Sequence, residues 1–76
     1  MEISTFIEHF AAQFDETDTS EFKPETRFRD TAEWSSLIAL SVMAMIDEEY
    51  DVTIKGAEMH NSQTIEELFN IVKSKK

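Results

Sequence analysis

Two adjacent serines, Ser35 and Ser36, stand between the only tryptophan, Trp34, and the longest nearly apolar run of the chain, Leu37 to Ile46. A serine hydroxyl can serve as nucleophile, helix cap or point of modification, and its neighbours decide which. A nucleophilic serine ordinarily comes with a base and often sits in a glycine elbow. Neither His9 nor His60 lies in a recognisable triad setting, and no glycine flanks the pair. Capping accounts for one serine: Ser35 can accept an early amide of the helix that follows and satisfy an orphan donor. Ser36 is then the first helical residue, with its hydroxyl pointing outward at the positive end of the dipole. A phosphate ester is favoured there. The chemistry this spacing permits is modification at Ser36, not catalysis by the chain alone.

Other chemistry-bearing residues fit bland roles. DETDTSEFKPET, Asp15 to Thr26, has the length of a calcium loop, which needs carboxylates at positions 1, 3, 5 and 12 and glycine at 6. Those positions hold Asp15, Thr17, Thr19, Thr26 and Ser20, so calcium is not expected. His9 and His60 lack a second imidazole or a cysteine at ligand spacing and read as surface histidines. Met43, Met45 and Met59 read as adaptable core or interface filler. Asp47, Glu48 and Glu49 give no sign of the pocket that acid–base work would need.

The whole-chain balance narrows the classes further. In 76 residues there are 16 acids against 7 bases, a formal charge of −9. Phosphates would repel that charge, which argues against nucleic acid. It suits partners with basic surfaces, whose encounter it speeds. Cysteine is absent, so disulfides and thiolate metal sites are unavailable. The opening MEISTFIEHF has no basic stretch and does not read as a secretory signal. The run from Leu37 to Ile46 is far short of the ~20 residues that span a bilayer. A single domain over residues 1–76, soluble, cytoplasmic, monomeric and without membrane insertion, is the expectation. A domain of this size buries roughly 60% of its unfolded surface, enough for one modest core.

The elements that must position Ser36 are legible as periods. Ile3, Phe6, Ile7, Phe10 and Phe14 have the spacing of an amphipathic helix. Asp15 to Ser35 shows no such period, and Pro24 bars an ordinary helix interior. A loop of roughly twenty residues is long for a small domain, and Phe22, Phe28 and Trp34 are its expected pins. Ser36 to Tyr50 lacks glycine and proline and is rich in good helix formers. Its first half is apolar almost all round, which in so small a domain implies a stripe kept for a partner. Val52 and Ile54 alternate as in an extended connector, and Gly56 precedes a short helix over Ala57 to Asn61. Thr64 and Glu67 form a capping box before Ile65, Leu68, Phe69 and Val72. The expected fold is all-α: a small four-helix bundle of three main helices and one short one, with a long first loop.

TRFRD, then EWSSL, then IDEEYDVTI together resemble the acyl carrier protein family, and the resemblance extends over nearly the whole chain. That family typically opens its second helix on an Asp-Ser-Leu triplet, followed by an acidic run, an aromatic and an apolar pair. Ser35-Ser36-Leu37 takes the place of the triplet, Asp47-Glu48-Glu49-Tyr50 of the run, and Val52 and Ile54 of the pair. The resemblance implies that Ser36 is the attachment point of 4′-phosphopantetheine, delivered from coenzyme A by a phosphopantetheinyl transferase. The arm's thiol then carries an acyl or aminoacyl group as a thioester, and the transferase supplies base and magnesium.

Departures from the family pattern point to a specialised lipid, polyketide or acyl-transfer carrier. Ser35 replaces the aspartate, keeping a capping oxygen and losing a charge; Thr31 stands where leucine is common. Ile38 and Ser41 stand where many fatty-acid carriers have acids. Leu37, Leu40 and Ala44, at i, i+3 and i+7, share a face beginning beside Ser36. That face is expected to dock acyl-loading and acyl-transfer enzymes through apolar patches, with Asp47 and Glu48 meeting basic residues further along. The alternative is a carrier-like binding module with no prosthetic group, acting through the apolar face of the same helix.

Overall fold

The computed structural model describes residues 2–76; Met1, the first residue of the expected domain, lies outside them. The first helix, α1, spans Ile3–Ala11 and buries Phe6, Ile7, Phe10 and Ala11. Phe14, the last residue of the predicted stripe, lies beyond its end. Successive three-residue bonds, Gln13 N–H to Phe10 O at 3.1 Å and Phe14 N–H to Ala11 O at 3.0 Å, tighten the chain there. This tighter winding still delivers Phe14 to the core, 6% exposed.

The long loop is held by the three aromatic pins. Phe22 and Phe28 are buried, and Trp34 packs half-buried against the core. Their rings join Phe10 of α1 and one another edge-on or tilted: Phe10 to Phe22 at 5.7 Å, Phe10 to Phe28 at 5.4 Å and Phe28 to Trp34 at 4.9 Å. Such contacts add about 0.5–1.5 kcal/mol per pair beyond the area they bury. Two single turns of 3₁₀-helix, Thr19–Glu21 and Phe28–Asp30, give the loop local order. Its backbone also docks on the last helix, where the amides of Ile65 and Glu66 donate to Thr26 O and Pro24 O at 3.2 and 2.9 Å. Those amides have no partner within their own helix, so the loop satisfies them.

The second helix, α2, spans Ser36–Tyr50, the range predicted. Val42, Met45 and Ile46 are buried, while Leu37 and Leu40 are 73% and 62% exposed. The helix that reads as apolar all round thus keeps one side for solvent. It ends at Asp51, whose φ of 54° lies in the left-handed region. Glycine usually stands at this position, but a short polar side chain tolerates it. The Lys76 ammonium reaches the last carbonyl, Tyr50 O, at 3.0 Å.

Val52 and Ile54 drop into the core from an extended connector. The short third helix, α3, spans Gly56–Asn61, one residue earlier than expected. The Glu58 carboxylate accepts the Lys55 amide at 2.9 Å and pairs with Lys75 at 2.9 Å. The last helix, α4, spans Ile65–Lys75 and buries Ile65, Leu68, Phe69 and Val72. Thr64 Oγ1 accepts the Glu67 amide at 3.2 Å, but the reciprocal half of the expected box is displaced. The Glu67 carboxylate takes the amide of Gln63 at 2.7 Å instead of that of Thr64. The bundle closes with α1 packed against α2 and α4, and Phe6 meets Phe69 and Tyr50 at 5.4 and 5.6 Å.

Candidate functional site

Ser35 has extended backbone, and its Oγ accepts the Ile38 amide at 3.3 Å. Its carbonyl takes the Ala39 amide at 2.9 Å, the first bond of the helix ladder. With Ser35 committed to capping, Ser36 is the first residue of α2. It is exposed, and among the described residues its hydroxyl has no hydrogen-bond partner. The first turn of α2 carries no acidic side chain. Its positive dipole end is therefore uncompensated, and an anion on the Ser36 oxygen would be stabilised there.

Trp34 and Glu33 hold the chain that leads into the serines. Trp34 donates its amide to Thr31 O at 3.0 Å and stacks on Phe14 at 6.2 Å. The Glu33 carboxylate gathers the start of the long loop. It accepts the amides of Asp15 at 2.6 Å, Glu16 at 3.1 Å and Thr17 at 3.1 Å, with the Thr17 hydroxyl at 2.9 Å. Partial burial pushes its pKa up. The amides of Asp15 and Glu16, the Thr17 hydroxyl and the Thr17 amide outweigh that, and the net result lies below the ordinary value. Consecutive amides turned inward make a concavity for negative charge. In the segment that has the length of a calcium loop, amides thus converge on a carboxylate. Nothing in the sequence marks Glu33 for this role, because its partners lie sixteen to eighteen positions away.

The expected docking residues lie on the open side of α2. Leu37, Leu40 and Ala44 are exposed, and Asp47 and Glu48 continue along the same helix, also exposed. All five lie clear of the buried positions Val42, Met45 and Ile46.

The sequence gives no hint of a groove beside Ser36, ≈ 440 Å³ in volume. From α2 it is lined by Ser35, Ser36, Ala39 and Met43, and from α3 by Gly56, Met59 and His60. Trp34 and Arg29 close it from the loop. The Arg29 guanidinium donates through Nη1 to the His60 carbonyl and lies 3.5 Å from His60 Nδ1, tying the loop to α3. His60 is a surface residue as expected, but it borders the serine. The other histidine, His9, packs edge-on against Tyr50 at 5.9 Å and lies 4.0 Å from Glu49. No hydrogen bond joins either imidazole to Ser35 or Ser36 among the described residues.

The arrangement is an open hydroxyl at a positive helix end, flanked by an apolar face on one side and a groove on the other. Among the described residues, no base is hydrogen-bonded to that hydroxyl. The family described as phosphopantetheine attachment site matches residues 4–72 of the chain. No solved structure matches it.

Proposed function

Because the chain belongs to the phosphopantetheine attachment-site family, it is a carrier and not an enzyme, bearing a covalent prosthetic arm, and we propose that the arm is attached to Ser36 Oγ. The observation that carries this assignment is the division of labour in the serine pair: Ser35 Oγ caps α2 while Ser36 Oγ is exposed. The open hydroxyl gives a transferase room to remove its proton with the enzyme's own base. The new phosphodiester then meets an uncompensated helix terminus. Once attached, the arm supplies a thiol that carries a carboxylic acid as a thioester.

The finer reading is of a single-domain, cytoplasmic, monomeric carrier for acyl or aminoacyl groups in a specialised lipid, polyketide or acyl-transfer pathway. Among the described residues, no helix is long and apolar enough to cross a membrane. Its partners are the phosphopantetheinyl transferase and acyl-loading and acyl-transfer enzymes with apolar patches edged by basic residues. Leu37, Leu40 and Ala44 are the contact face, and Asp47 and Glu48 steer the approach. Two features support that surface. Large apolar side chains stay exposed at Leu37 and Leu40. Acids also crowd the last turn of α2, where the dipole disfavours negative charge by about 0.3–1 kcal/mol each. A partner's cations would offset that cost.

The absence of cysteine makes the test simple. After incubation with coenzyme A and a broad-specificity transferase, the protein should titrate as one thiol per chain, against none before. A chain that gains no thiol lacks the arm.

A further inference from the structure

Resting on the assignment of the arm to Ser36, we infer that the adjoining groove selects a cargo with an apolar stem and an anionic tip, such as a dicarboxylic acid joined through one carboxyl. The groove's lining is mostly apolar, from Trp34, Ala39, Met43 and Met59, and its polar side chains are Arg29, His60 and the two serines. A chain with 16 acids places none among the residues that line this space. The groove is thus a locally positive feature on a strongly negative protein, and it begins at the residue that holds the arm.

Arg29 is equipped for the role. It is half-buried, and its guanidinium lies 5.9 Å from the Phe28 ring centroid. One N–H goes to the His60 carbonyl, and a guanidinium has five donors in a rigid fork. Asp30 borders a smaller polar hollow shared with Arg29 but forms no ion pair with it among the described residues. Remaining donors are therefore available to a carboxylate, for which this fork is geometrically suited. His60 borders the same space, with its Nδ1 3.5 Å from Arg29 Nη1. A volume of ≈ 440 Å³ falls in the range of small-molecule clefts.

The test loads the protein from three coenzyme A thioesters: glutaryl, its uncharged monoamide isostere, and pentanoyl. Hydroxylamine cleavage is measured for each, relative to the same thioester on coenzyme A, so that intrinsic reactivity cancels. The glutaryl form should be protected roughly threefold more than either neutral form, the size expected of a partly exposed ion pair. Arg29→Gln and added salt should each remove the difference. Side-chain NMR signals of Met59 and Arg29 should move most with glutaryl, a readout in the wild type that does not depend on the stability of the variant. Equal protection of all three cargoes, or better protection of pentanoyl, overturns the inference while leaving the arm on Ser36. Failure to load any cargo overturns the attachment and the inference together.

Discussion

The Glu33 carboxylate accepts the backbone amide of Asp15 at 2.6 Å, so the residue two before the capping serine also fastens the first residue of the long loop. Its pKa is lowered in the folded state by the amides and hydroxyl around it, against the upward push of burial. Glu58 is lowered too, by the Lys55 amide first and then by Lys75. A depressed folded pKa contributes stability that is present above the unfolded value and lost as pH falls through the folded one. Thermal stability should therefore decline on acidification from the ordinary carboxylate value of 4.5 downward. Glu33→Gln should melt below wild type at neutral pH, because its amide group cannot accept three converging N–H donors. The gap should narrow below that pH. A gap independent of pH would mean that the carboxylate's charge plays no part in the clamp.

Tyr50 should behave in the opposite way to most core residues. Its hydroxyl is buried without a hydrogen-bond partner among the described residues. Burial, and then the neighbouring Glu49 charge, raise its pKa. Tyr50→Phe keeps the ring contacts with Phe6 and His9 and deletes an unsatisfied polar atom. Calorimetry should find the variant as stable as wild type or more so, by about 1 kcal/mol. A clear loss of stability would show that the hydroxyl has a partner.

Thr64→Ala removes the acceptor of the Glu67 amide at the start of α4. The expected cost is about 0.5–2 kcal/mol, which in a domain of this size lowers the melting temperature by roughly 4–8 °C per kcal/mol. An unchanged melt would place the effective cap elsewhere, with the Gln63 amide and the Glu67 carboxylate.

Leu37→Glu and Leu40→Glu separate docking from folding. Both side chains are mostly exposed, so each variant should keep its stability to within about 0.5 kcal/mol. Transfer to or from partner enzymes should fall roughly tenfold or more, the loss of a central apolar contact. If Asp47 and Glu48 act at the rim of that contact, salt should slow association more than it speeds dissociation. Normal transfer by both variants would put the docking face elsewhere on the surface.

The features legible in the sequence are those that local chain physics determines. The bounds of α2 follow from an uninterrupted run of helix formers after a capping serine. Phe22, Phe28, Val52 and Ile54 could be assigned to the core because large or alternating apolar side chains have nowhere else to go. Phe14 was legible as core, but not the tightened turn that brings it there. Glu33 was not legible, nor was the Arg29 tie to His60, because both join residues far apart in the chain. A lone acid or base carries no mark of its distant partner. The groove beside Ser36 is not legible for the same reason: it is the space left between α2, α3 and the loop, and no single segment encodes it. Glu67 shows a subtler limit, since the pattern of a capping box was present while its carboxylate found the amide one residue earlier.

Intact-protein mass spectrometry distinguishes attachment of the arm at Ser36 from attachment at Ser35. Wild type, Ser36→Ala and Ser35→Ala are each incubated with coenzyme A and a broad-specificity transferase, with circular dichroism to confirm that each is folded. Attachment at Ser36 gives one phosphopantetheine mass increment on wild type and none on Ser36→Ala. Ser35→Ala should still be modified, though on a helix that has lost about 0.5–2 kcal/mol with its cap. A folded Ser36→Ala protein that gains the increment, with Ser35→Ala remaining unmodified, would instead put the arm on Ser35.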